Sequence, residues 1–72
     1  MKTFKTIQVF AVTTNGGQIE YDQVPQPVTV PAFLAPLVAQ SFAKYGFCAD
    51  EFANYYPTES AAARAINWAL FN

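Results

Sequence analysis

Residues 3–24 read TFKTIQVFAVTT-NGG-QIEYDQV, and the architecture of the domain follows from how this stretch divides. Its first part, 3–14, is rich in Thr, Val, Ile and Phe, which suit a pleated, half-buried surface. Asn15-Gly16-Gly17 supplies the positive backbone angles that a tight turn requires. In the second part polar and apolar residues alternate, which directs Ile19 and Tyr21 to a core and Glu20 and Asp22 to water. A β-hairpin over 3–24 is the expected result.

The turn also sets the register. A two-residue loop pairs residues whose numbers sum to an odd value, so Phe10 and Val12 share a face with Ile19 and Tyr21, and Phe4 joins them. The opposite face of the first strand then carries Lys5, Ile7, Val9 and Ala11 beside Glu20 and Asp22. A three-residue loop would exchange the two sets, because a slip of one residue turns every side chain over. In either register one strand is apolar on both faces. An outward face bearing Ile7, Val9 and Ala11 is more apolar than a solvated face should be, which makes Ile7 and Val9 candidate contacts with a second chain.

Outward from the hairpin, residues 25–31 hold Pro25, Pro27 and Pro31, which favour extended backbone. They read as a rigid connector, in which Val28-Thr29-Val30 can add a short third strand at a sheet edge. A helix is expected over 33–45, where Phe33, Leu34, Leu37, Val38, Phe42 and Tyr45 recur at three- and four-residue spacing. Pro36 fits its first turn and Gly46 its left-handed stop. A short helix is expected over 49–55, with Glu51 three residues after Cys48 and Phe47 and Phe52 flanking its start. The last helix, 59–71, has Thr58 as N-cap, Glu59 in the first turn, and a buried stripe of Ala62, Ala65, Ile66, Ala69 and Leu70. The sum is one α+β domain over 1–72: a small antiparallel sheet with two or three C-terminal helices on one face.

Composition narrows the chemistry. Hydrophobic residues make up 53% of the chain and charged residues only 12%, against about 25% charged in an ordinary domain. So few charges cannot coat so many apolar groups, and a shared apolar surface, as in a homodimer, is the expected consequence. Four basic side chains, Lys2, Lys5, Lys44 and Arg64, are scattered along the chain and form no patch for nucleic acid. The sequence has no histidine and one cysteine, which leaves no internal disulfide, no ordinary zinc set and no usual general base. Cys48 at a helix start, or the neighbouring acids Asp50 and Glu51, would need partners that are missing here, so no enzyme, metal or cofactor is expected. No run of apolar residues is long enough to span a membrane, and the start lacks the apolar core of an export signal, so a cytoplasmic location is expected.

The remaining aromatic residues point to protein contacts. Tyr55-Tyr56 is placed at a loop junction before Pro57, while Trp68 and Phe71 fall off the buried stripe of the last helix. Arg64 lies one turn before Trp68, where its guanidinium can stack on the indole. Tyr, Trp and Arg dominate the energetics of protein interfaces, so Tyr55, Tyr56, Arg64, Trp68 and Phe71 join Ile7 and Val9 as interface candidates. The expected function is a small non-catalytic domain that binds another protein by occupying its surface. By analogy of size and chemistry, this is the profile of an inhibitor encoded by a phage or mobile element, such as the anti-CRISPR proteins. The alternative is a self-associating structural or assembly subunit, a small virion or scaffold component.

Overall fold

The computed structural model describes residues 5–71. Phe4 and the first positions of the expected hairpin lie outside the described residues. The elements are β1 (Ile7–Asn15), β2 (Gln18–Ile19), β3 (Gln26–Val30), α1 (Ala35–Tyr45), β4 (Cys48–Ala49), β5 (Ala53–Tyr56) and α2 (Glu59–Phe71). The fold is α+β, an antiparallel sheet packed against two helices.

β1 is the axis of the sheet. Gly16 and Gly17 both have positive φ, 59° and 83°, which is the pair of angles a two-residue type I′ turn demands. The turn closes on Asn15 opposite Gln18 and Thr14 opposite Ile19, the expected odd-sum register. The return strand, however, stays paired for only two residues. The chain then leaves the sheet at Glu20 and rejoins it at β3, where Ile7 to Ala11 pair with Val30 to Gln26. Tyr21, expected to face the core, is 62% exposed on this detour.

Gln23 bridges the interruption. Its Oε1 accepts the Thr13 backbone N–H at 2.7 Å, and its Nε2 donates to the carbonyls of Thr13 (2.8 Å) and Glu20 (2.6 Å). One side-chain amide thus stands in for the peptide group that a continuous strand would offer. The segment expected to be a connector with a possible third edge strand is therefore the second half of the hairpin's own return strand. Proline is tolerated within it because Pro27 lies opposite Phe10. Ladder alternation from Thr13 turns the Phe10 backbone toward the other edge, so the amide that Pro27 lacks would have pointed out of the sheet.

The free edge of β1 is taken by β5, with Phe10 opposite Tyr56 and Thr13 opposite Ala53, and β4 pairs outside β5. The helix expected over 49–55 is thus a second hairpin. Asp50 makes the difference: its Oδ1 accepts the N–H groups of Phe52 (2.8 Å) and Ala53 (2.9 Å), and its own N–H donates to the Ala53 carbonyl at 3.0 Å. That closes a turn, and the aromatic residues after it pair with β1 across the sheet.

Both long helices form where expected. α1 has Pro36 in its first turn and ends on Gly46 at φ 84°, whose N–H donates to the Phe42 carbonyl. α2 is capped by Thr58, whose Oγ1 accepts the Ala61 N–H at 3.1 Å. They do not share a face. Even-numbered β1 residues face α2: Val12 packs with Ala62 and Ile66, and Phe10, Ile19 and Tyr56 close around them. Tyr56 also stacks on Phe47, ring centroids 5.9 Å apart. On the odd face, Val28, Val30 and Tyr55 look across a cleft at Leu34, Leu37 and Val38 of α1. Val9 and Val12, on opposite faces of one strand, have no exposed surface at all. At Val9 the apolar odd face of β1 is therefore interior, on the side of the sheet where α1 lies.

Two outcomes test this account. Gln23→Ala should lower stability by about 1 kcal/mol in urea titrations. Gln23→Glu should lower it further, because a carboxylate cannot donate to the two carbonyls. Val9→Lys should destabilise by at least about 3 kcal/mol, since it places an uncompensated charge between sheet and helix. A Val9→Lys chain that melts like the wild type would show that the odd face is open to water.

Candidate functional site: an apolar cleft beneath the first helix

α1 covers its side of the sheet incompletely. Of its residues only Ala35 is buried, while Leu37 is 61% and Tyr45 64% exposed. The helix leans toward β4 and leaves a cleft of about 390 Å³ between itself and the ends of β3, β4 and β5. Its walls are Leu34, Leu37 and Val38 on one side and Val28, Val30 and Cys48 on the other. Phe33, 75% exposed, lies in the turn that leads into α1. Pro31 sets that turn, its carbonyl accepting the N–H groups of Leu34 and Ala35. The volume is near the lower end for ligand sites, about 300–1,000 Å³, and fits inserted side chains.

Thr29 and Ser41 add hydroxyl groups to the lining, and the ionisable pair Asp50 and Tyr55 also borders the cleft. The Tyr55 hydroxyl donates to Asp50 Oδ2 at 2.7 Å. This bond first, and then that from the Phe52 amide, hold the Asp50 carboxyl below its ordinary range; burial opposes them and the Ala53 amide adds to the lowering. The same bond raises Tyr55 to about 12, with burial and the Asp50 charge acting in the same direction. Asp50 is therefore a fixed anion and Tyr55 a fixed donor near neutral pH. Neither is matched to accept and return a proton there. Among the described residues, no group of three His, Cys, Asp or Glu side chains is placed to hold a metal ion.

The expected interface residues divide between the two sides of the sheet. Ile7, half-buried, and Val9, fully buried, lie on the odd face opposite Val30 and Val28. Tyr55 shares that face and borders the cleft. Tyr56 points the other way, into the α2 core. Both tyrosines belong to β5 and are half-buried, where a loop junction was expected. Arg64, Trp68 and Phe71 are exposed on α2, and Trp68 borders a separate depression of about 720 Å³ with Ile19, Tyr21, Asn54 and Leu70. The seven residues do not form one patch. The cleft residues Val28, Val30, Leu34, Leu37 and Val38 were missed because each has an ordinary reading as connector or helix core. The signal that could have found them is the two-sided apolar character of β1, which calls for a helix on each face.

The pair at the cleft end has a pH signature. Asp50 is depressed when folded, so its contribution is present above its ordinary value of 3.8 and is lost as pH falls through the lower folded value. Tyr55 is raised when folded, so its contribution is complete below 10.0 and is lost as pH rises toward about 12. The stability difference between wild type and Tyr55→Phe, about 1 kcal/mol at an exposed site, should be flat between these limits and shrink outside them. A difference that stays constant down to pH 2 would show that the Asp50 charge plays no part.

No helix among the described residues is long and apolar enough to cross a membrane. Comparisons with protein-family models, with curated proteins and with solved structures find no match to this chain.

Proposed function

We propose that the chain is a small non-catalytic protein-binding domain that acts by surface occupancy, and that the cleft beneath α1 is its binding surface. The observation that carries this reading is the exposure of Phe33 and Leu37 beside the apolar walls of the cleft. Clustered exposed apolar groups of this kind mark contact surfaces. The scarcity of charge in the sequence agrees with it, because charged residues are depleted at interface centres. An inhibitor of host or defence machinery and a self-associating assembly subunit would use the same cleft with different occupants, a foreign protein in one case and another copy in the other.

Leu37→Asp tests the cleft. Because Leu37 is mostly exposed, the variant should melt within a few degrees of the wild type. Parallel pull-downs from bacterial lysate should then show proteins retained by the wild type, further copies of the chain included, and lost at least tenfold by the variant. Equal retention by both chains would overturn the cleft as the binding surface.

A further inference from the structure

Resting on the reading of the cleft as a polypeptide-binding surface, we propose that its occupant is the C-terminal half of α2 from a second copy of this chain, joined head to tail. α2 turns its Ala62 and Ile66 stripe to the sheet, and this leaves Arg64, Trp68 and Phe71 on another side of the helix. Their i, i+4, i+7 spacing is the pattern by which an amphipathic helix enters an apolar groove. Trp68 is 69% exposed and Phe71 82%. The groove such a stripe needs, bounded by Leu37, Val38 and Val30, exists on the same molecule. The charges agree as well. The single cation of α2, Arg64, lies one turn before Trp68, and the charged group bordering the cleft is the Asp50 carboxylate.

Geometry sets the form of the assembly. The cleft opens on the odd face of the sheet, while α2 lies across the even face. A chain therefore cannot fill its own cleft with its own α2. The two surfaces differ, so each added copy presents a fresh helix and a fresh cleft, which gives a ring or an open array rather than an isologous dimer. Two aromatic side chains contribute about 150–250 Å² each, roughly half of the ~800 Å² per partner in a standard interface. Association should accordingly be weak and visible only at high protein concentration.

Complementation between two defective chains tests this. Light scattering behind a sizing column, over a hundredfold concentration range, should show wild-type mass rising with concentration. Leu37→Asp, lacking a functional cleft, and Trp68→Ala/Phe71→Ala, lacking the inserted stripe, should each stay monomeric. An equimolar mixture should form a one-to-one heterodimer and stop there, because only one intact cleft and one intact helix meet. Circular dichroism confirms that each variant is folded, and Phe71→Asp at the last turn replaces the double variant if that chain melts early. A monomeric wild type, a fixed wild-type dimer, undiminished association of the α2 variant, or a mixture that does not recombine would each overturn the head-to-tail assembly. If the wild type is monomeric yet loses a foreign partner on Leu37→Asp, the cleft remains a binding surface and only this occupant is wrong.

Discussion

The structure depends on a single strand that is apolar on both faces. Val9 and Val12 lie three residues apart in β1, so they point to opposite sides, and each is fully removed from water. A small antiparallel sheet commonly packs one face and leaves the other to solvent. Here both faces of the central strand must be covered, and the described residues include two helices of useful length to do it. One helix goes to each side, and the core becomes two thin layers around a sheet. The three buried alanines follow from the same constraint. Ala53 in the sheet, Ala35 in α1 and Ala62 in α2 are small residues at buried positions, where they permit close approach of backbones.

One edge of β1 is paired over most of its length and the other from Phe10 to Thr13, and the chain achieves this with short pieces. β2 and β3 share one edge of β1, β5 takes the other, and no partner matches all nine residues of β1. Where β2 and β3 fail to meet, the Gln23 amide completes the ladder. Where β4 and β5 must reverse, the Asp50 carboxylate takes two amides and the Tyr55 hydroxyl. Two polar side chains thus stabilise the two irregular points of the sheet. Both lie at surface positions where water can compete, which limits each to a modest contribution.

The legible parts of this fold were those written in local chemistry. The Gly16-Gly17 turn, its register, the shared face of Phe10, Val12 and Ile19, the Gly46 stop and the Thr58 cap each depend on residues close in sequence. What escaped depends on distant partners. Ala53–Tyr56 becomes a strand because the free edge of β1 awaits it, and nothing within 49–55 announces that edge. Gln23 is an ordinary polar residue until Thr13 is placed beside it. The candidate site suffered in the same way. Exposure on α2 was readable from the Ala62/Ile66 stripe, but the cleft is a relation between Leu37 and Val30, which no periodicity records.

A two-layer arrangement of this size carries a physical consequence beyond its own folding. Covering both faces of one strand spreads the apolar residues of the chain over two thin cores, so neither helix can bury a full stripe. α2 buries Ala62 and Ile66 while Leu70 remains about half exposed, and α1 buries Ala35 while Leu37 remains open. Charged residues are too few to occupy the leftover surface. The unburied apolar groups are therefore a product of the topology, because two short helices divide a small set of apolar residues between two faces. Contact with another polypeptide, as proposed for the cleft, would remove this surface from water without altering the sheet, at the helix that lies least closely on its strands. The demand that β1 makes on both faces thus reaches outward to the cleft beneath α1.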